Sequence, residues 1–192
     1  MTDEAVRFLK EFVNKPQEIG ALVPSSPALA RAVVQSVDWT KVQVAVEYGP
    51  GLGAITAEIL TRTDGKDFFA IELNKTYADR FRRSFPGVHL YRDSVANLPA
   101  IAAEHGVEAI DCVISGLPWA IFSDAVQDEL LDATFAVLRE GGQFVTFAYM
   151  HGLALPAGRR FRRKLMGRFR KLDRSPVVWR NTPPAVVYHC VR

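Results

Sequence analysis

The sequence predicts an α/β fold: one mostly parallel sheet with helices on both faces and a C-terminal antiparallel hairpin. Three observations predict it. Apolar, β-branched runs alternate with amphipathic stretches over more than 100 residues, the pattern of parallel strands joined by right-handed crossovers. The turn "GPGLGA" directly follows the first such run and opens a helix. The chain closes with "SPVVWRNTPPAVVYHCVR", two strand-like runs joined at "NTPP".

The elements follow in order. "TDEAVRFLKEFVNK" places Ala5, Phe8, Leu9, Phe12 and Val13 on one helical face, with Thr2 or Asp3 as cap and Pro16 at the end. So short a helix needs a partner for its apolar face, either the domain or a membrane surface. Ser26 and Pro27 form a cap and first turn for a helix through Val37. Residues 1–37 thus read as amphipathic or lid helices ahead of a core at 38–192, and the whole chain, 1–192, as a single domain. Val42–Glu47 is the first strand and Ala54–Thr61 a helix; "DFFAIELN" is the second strand, followed by a helix over Lys75–Ser84. "GVHLYRDS" is a third strand, "LPAIAAEHG" a helix, and "AIDCVISGLPW" a fourth strand running into a loop. "SDAVQDELLDATFAVLREGG" reads as a long helix ending in glycines, and "QFVTFAYM" as a fifth strand. The terminal hairpin brings the sheet to seven strands.

Charge is distributed unevenly. The net +3 combines nine Lys/Arg and one acid between Arg159 and Arg174 with 15 basic and 20 acidic residues elsewhere. Across "GRRFRRKLMGRFRK" and the Leu172 that follows it, a helix puts Phe161, Leu165, Phe169 and Leu172 on one face, predicted to pack on the sheet, with cations around the rest. Cys112 and Cys190 sit apart in apolar runs without metal spacing, and two buried thiols are expected rather than a metal site. The N-terminus is charged throughout, unlike a signal peptide. The longest uncharged run, Gly141–Gly158, contains four glycines and a proline, which suits a strand and loop rather than a membrane span. The expectation is a cytoplasmic protein, soluble or peripheral.

Ligands of such folds bind at the carboxyl ends of the strands. That places Glu47–Gly53, Glu72, Asp93–Ser94, Ser115–Trp119 and Tyr149–His151 at the site. Gly49, Gly51 and Gly53 let the backbone turn tightly and approach a ligand, and Glu47 at the strand end suits an ammonium. Glu72, ending the next strand, suits a ribose diol. A dinucleotide fingerprint needs a further glycine where Thr56 stands. Glu-x-Gly-x-Gly-x-Gly, Glu47–Gly53, instead resembles motif I of Rossmann-like class I S-adenosylmethionine-dependent methyltransferases. The resemblance implies that the backbone after Gly49 holds the methionine part, Glu72 with Leu73 the ribose, and Asp93 with Ser94 the adenine. Ser25 and Ser26 would close over the cofactor; Ser26 has the plainer reading of a helix cap.

"SGLPW" stands where amino-methylating enzymes of this class carry Asn/Asp/Ser-Pro-Pro-aromatic, and it lacks the Pro-Pro-Tyr that stacks a flat adenine. Ser115, the Leu117 carbonyl, Pro118 and Trp119 are the candidates to hold a target nitrogen, Ser115 also bordering the cofactor. Trp119 offers a face to a cation, or simply covers the sheet end. "FLKEFVNKPQEIGALVPSSPALARAVV", "VEYGPGLGAIT", "IELN", "SGLPW" and "VVWRNTPPAVVYHC" together resemble, nearly end to end, the small bacterial phospholipid N-methyltransferases, which are related to ribosomal RNA adenine dimethyltransferases. The resemblance implies methylation of phosphatidylethanolamine and its methylated derivatives toward phosphatidylcholine, by in-line attack of the amine on the sulfonium methyl. Tyr149 and His151 are candidates to orient or deprotonate the amine, with a packing Tyr and a solvated loop His as the alternative. Arg180 with Asn181 is the candidate for the phosphate, and Tyr188 for the same pocket. Residues 1–14 and 159–174 are expected to meet an anionic inner-membrane surface, with no nucleic acid and no metal as partner. The other readings are an RNA adenine N6-methyltransferase and a membrane- or RNA-binding module without turnover.

Overall fold

The computed structural model describes residues 25–192. The expected first helix, and with it the membrane-contact segment at 1–14, lies outside the described residues.

Ser26 starts α1 (Pro27–Gln35): its Oγ accepts the Leu29 N–H at 3.2 Å, and Pro27 supplies the first helical residue. This helix is packed as core rather than as a lid. Leu29, Val33 and Val34 are fully buried against Val42, Ala45, Ile59 and Val145. Then come β1 (Val44–Tyr48), α2 (Thr56–Ile59), β2 (Asp67–Ile71), α3 (Lys75–Ser84), β3 (His89–Tyr91), α4 (Leu98–His105) and β4 (Ile110–Ser115). They are followed by α5 (Asp124–Val137), β5 (Leu138–Tyr149), α6 (Met150–Ala154), α7 (Pro156–Arg168), β6 (Lys171–Arg174) and β7 (Ala185–Val191). The sheet has seven strands in the order β3-β2-β1-β4-β5-β7-β6. The first five are parallel, and β7 and β6 antiparallel.

Strand order reverses between β1 and β4, which opens a crevice at their carboxyl ends. Register aligns that rim: Tyr48 stands beside Ile71 on one side and Ser115 on the other. Gly49, Glu72 and Gly116 therefore leave the sheet at one level. One core cluster, with Tyr48, Phe69, Trp119, Phe144 and Phe161, covers one face, and the cluster around α1 covers the other. Both cysteines are buried free thiols as expected, and burial pushes the Cys190 thiol up to about 12.

Three elements differ from the sequence reading. The helix expected over Ala54–Thr61 is only the short α2. The long helix stops at Val137, because "LREGG" joins β5; Gly141 takes a left-handed φ of 72° as the strand pairing shifts register opposite Ile110 and Cys112. The sixth strand is "KLDR" from inside the basic stretch, while "SPVVWRNTPP" contributes only one isolated bridge, Val178 to Ala185. Pro176, Pro183 and Pro184 have no N–H for a ladder, whereas alternating charges suit an exposed edge strand.

The basic helix α7 buries Phe161 and Leu165, with Phe169 buried just after its end; Leu172, expected on the same helical face, lies in β6. Three of its cations serve the fold. Arg160, Lys164 and Arg168 recur every fourth residue and face Asp124, Asp128 and Asp132 on α5, spaced the same way. Lys164 Nζ lies 2.8 Å from Asp124 and 2.7 Å from Asp128. Arg168 bridges Asp128 and Asp132, and Arg160 lies 3.5 Å from Asp124.

Candidate active site

The carboxyl rim of the sheet encloses a cavity of about 280 Å³. Its floor is the glycine turn between β1 and α2. Gly49 has φ 62° and donates its N–H to the Ile71 carbonyl at 2.9 Å, tying the turn to β2. Gly53 has φ 83°, and a Cβ there would lie 2.0 Å from Phe85 Cε2, so only glycine fits. Glu47, Gly49, Gly51, Glu72, Leu73, Asp93 and Ser94 all line the cavity; Gly53 shapes it from behind.

The three carboxylates are held differently. Glu47 is 1% exposed and accepts the Thr56 hydroxyl at 2.6 Å. Burial, helped by the Glu72 charge and opposed by Thr56, raises its pKa to about 8. A buried carboxyl poised this way suits an incoming ammonium, which would favour its charged form. Glu72 accepts the Gly51 N–H at 3.1 Å through one oxygen and the Asn74 N–H at 2.8 Å through the other, so it also pins the glycine turn. Burial raises its pKa too, against those two N–H bonds. Asp93 accepts the Ser94 N–H at 2.6 Å and the Asn97 amide at 2.8 Å, both on Oδ1. Its Oδ2 has no partner among the described residues. This donor set fits S-adenosylmethionine: an acid for the ammonium, an acid for a diol, an acceptor for an amino group, and a backbone bare enough for close approach.

The "SGLPW" loop packs onto the glycine turn. Gly116 donates its N–H to the Tyr48 carbonyl at 2.8 Å, and a Cβ on it would lie 2.9 Å from the Gly49 carbonyl oxygen. Leu117 lines the cavity, and its carbonyl accepts the Trp119 N–H at 3.0 Å. Ser115 does not line the cavity. Its buried Oγ accepts the Leu117 N–H at 3.3 Å and the Trp119 indole N–H at 2.9 Å, so it positions the loop rather than touching a ligand. Trp119 is likewise corrected. It is 2% exposed and stacked on Phe161, with Phe122 and Phe144 edge-on around it. The ring borders the cavity but serves the core, the plainer of its two expected readings. Gln127 stitches the loop down, its amide donating to the Trp119 carbonyl at 2.8 Å and the Ala157 carbonyl at 3.2 Å.

Tyr149 and His151 both line the cavity, stacked at 5.7 Å with planes 8° apart. Tyr149 is half-buried, and burial raises its pKa. Tyr188 lines the far wall.

Three further expectations are corrected. Ser26 caps α1 and is absent from the lining, where Ser25 takes its place. Asn181 is buried and structural: its Oδ1 accepts the Ser26 N–H at 2.9 Å and its amide donates to the Pro183 carbonyl at 2.7 Å. Arg180 is exposed and outside the lining. The cations acting on Tyr188 are instead Arg162 and Arg174. Sequence reasoning missed Gln127 and the stacking of Phe161 on Trp119, and it covered Gly116 only as part of Ser115–Trp119. Gly116 carried a signal, a glycine directly after a strand at the rim; Gln127 carried none, since an amide on an amphipathic helix reads as surface.

No family model matches the chain. It is 31% identical over 189 residues to the ornithine lipid N-methyltransferase of Singulisphaera acidiphila, spanning 95% of this chain and 93% of that protein. Among solved structures it resembles an O-methyltransferase from Bacillus cereus determined with S-adenosylhomocysteine, at TM-score 0.66 and 13% identity, covering 100% and 92% of the two chains. It also resembles the glycopeptide N-methyltransferase MtfA, at TM-score 0.63 and 14% identity over 83% and 89%. TrmN from Thermus thermophilus matches at TM-score 0.63 and 18% identity, over 96% of this chain and 53% of that one. These structural likenesses show the fold. The end-to-end sequence relationship does more: the chain belongs to the family of the ornithine lipid N-methyltransferase, within the class I S-adenosylmethionine-dependent methyltransferases.

Proposed function

We propose that this protein methylates the amine of a zwitterionic membrane-lipid headgroup. The observation that carries it is the 31% identity to a lipid N-methyltransferase over 95% of the chain. The cavity supports it, since one part of its wall is apolar, with Ile121, Phe122, Leu153 and Leu155. The relative directs attention first to an ornithine lipid; the resemblance to the phospholipid enzymes adds phosphatidylethanolamine and its methylated derivatives.

Bound in the cavity, S-adenosylmethionine would supply an electrophilic methyl on its sulfonium, with S-adenosylhomocysteine as the leaving product. Glu47 would hold the ammonium of that cofactor, Glu72 and Leu73 the ribose, and Asp93 and Ser94 the adenine. The Leu117 carbonyl, with one lone pair on the Trp119 N–H, offers the other to the substrate amine. His151, stacked on Tyr149 at the mouth, accepts the proton the amine must lose before attack. Positioning contributes most of the rate.

The mouth fits a bilayer. Leu52, Met150 and Leu155 are exposed apolar side chains at this end of the sheet, and Trp179, 73% exposed, stands on the loop before β7. Among the described residues no helix is long and apolar enough to cross a membrane. Peripheral contact with the inner membrane through this rim, residues 1–14 and exposed cations of 159–174 such as Arg170 follows from the reading. RNA adenine methylation fits less well, because the aromatic ring of "SGLPW" is committed to Phe161 and offers no platform for a base.

The test is incubation with labelled S-adenosylmethionine and, in separate arms, ornithine lipid, phosphatidylethanolamine or ribosomal RNA. Label in a lipid arm is expected. Label only in RNA overturns the reading.

A further inference from the structure

A second cavity, of about 340 Å³, lies beside the first and is walled by Arg159, Arg162, Arg163 and Arg174. Leu153, Gly158 and Tyr188 line both cavities, so the two adjoin across these residues. No acid lines the second one. The chain could have neutralised these arginines as it neutralised their neighbours. Arg160, Lys164 and Arg168 on the same helix are paired with α5 carboxylates, whereas Arg159, Arg162, Arg163 and Arg174 have no ion pair among the described residues. Helix α7 thus turns one stripe of cations to the protein and another to the cavity. Arg174 arrives from β6, on the far side, where it pairs in register with Tyr188. Two elements converge on one spot. The charges of Arg162 and Arg174 are felt at the Tyr188 phenol, where they oppose the upward push of burial.

We infer that Arg162 and Arg174, with Tyr188 between the two cavities, form the subsite for the anionic group of the substrate headgroup, while its amine lies in the first cavity. The inference rests on the proposed lipid-amine reading and gives it a specificity device. A phosphodiester and a carboxylate each present a pair of equivalent anionic oxygens that a guanidinium binds bidentately. In ethanolamine and ornithine headgroups alike the anion stands a few bonds from the amine. A simple alkylamine has no such group. The subsite therefore selects zwitterionic lipids over other amines and replaces Arg180 and Asn181 in that role.

The test uses the full chain in non-ionic detergent micelles, where no anionic surface attracts the protein. For R162Q/R174Q, KM for ornithine lipid or phosphatidylethanolamine is expected to rise roughly tenfold or more, with kcat far less changed. Methylation of dodecylamine and affinity for S-adenosylhomocysteine are expected to stay as in the wild type, showing the fold intact; R180Q is expected to change nothing. In calorimetry, glycerophosphoethanolamine and Nα-acetylornithine as soluble probes separate a phosphate preference from a carboxylate one, and both are expected to lose binding in R162Q/R174Q. An unchanged KM in micelles with weaker activity only on anionic vesicles overturns the inference and makes the arginines a bilayer contact. Methylation of no lipid by the wild type, with probe binding still lost in R162Q/R174Q, overturns the lipid-amine reading and leaves the subsite standing.

Discussion

The indole of Trp119 lies on the ring of Phe161 with centroids 4.5 Å apart and planes 9° from parallel. One ring comes from the loop after β4 and the other from the basic helix α7. The stack thus joins the wall of the first cavity to the element that carries the arginines. Both residues are buried, and Ser115 and Gln127 fix the tryptophan end through its indole N–H and its carbonyl.

Removing either ring should therefore act on stability first. Trp119→Ala or Phe161→Ala is expected to cost about 3–5 kcal/mol, as for other buried aromatic truncations. Trp119→Phe keeps a stacked ring and loses chiefly the indole bond to Ser115, about 1 kcal/mol. Urea melts check both. Full stability in Trp119→Ala with lost activity would restore Trp119 as a substrate-facing ring.

Glycine positions in the turn should separate by space. Gly53→Ala puts a methyl into the ring of Phe85 and holds it at a positive φ. A loss above about 3 kcal/mol and loss of cofactor binding are expected. At Gly51, with φ 56° and no atom within 4 Å of a Cβ, the same change carries only the left-handed backbone cost of about 1–2 kcal/mol. Thermal denaturation and S-adenosylhomocysteine titration of the two variants give the comparison.

Glu47 predicts a pH dependence. Its pKa is raised from 4.5 to about 8, so the folded, ligand-free protein keeps a proton that the unfolded chain releases. Its contribution to stability is then fully present below about pH 4.5 and is lost as pH rises toward 8. Urea melts of Glu47→Gln should show a flatter profile over that window than the wild type. Binding an ammonium expels the proton. Calorimetry with S-adenosylhomocysteine at about pH 6.5, where the ligand amine is charged, should show release of close to one proton in wild type and none in Glu47→Gln.

Glu72 has two tasks, holding the turn through Gly51 and Asn74 and facing the cavity. Glu72→Gln leaves an amide oxygen for one N–H bond and removes the charged acceptor for a diol. A cofactor affinity roughly tenfold weaker is expected, with a smaller stability loss than in Glu72→Ala. Unchanged affinity by calorimetry would remove Glu72 from the ribose site.

The parallel order of strands, the turn at Glu47–Gly53, and the acids at 72 and 93 were legible because they depend on local features. Apolar runs of strand length, glycines at a strand end and carboxylates one strand apart are written in adjacent residues. The ends of the long helix and the position of β6 were not legible, because strand pairing decided them. "LREGG" suits a helix end until Ile110 of β4 pairs with Leu138 and Arg192, just past β7, bonds Gly141 and Gly142, and "KLDR" suits a helix until an edge of the sheet is free beside it. Ser115, Trp119 and Asn181 carried the right residue types for ligand contact, yet the Ser115 hydroxyl is taken by Leu117 and Trp119 in its own loop, while the Trp119 ring face and the Asn181 Oδ1 are taken by Phe161 and Ser26, distant in sequence. The basic stretch shows the division most plainly. Sequence determined its charge and its apolar stripe. Only the tertiary structure decided which cations meet Asp124, Asp128 and Asp132 and which are left for the cavity, because a charge is neutralised by what lies across space, and the chain alone does not say what that is.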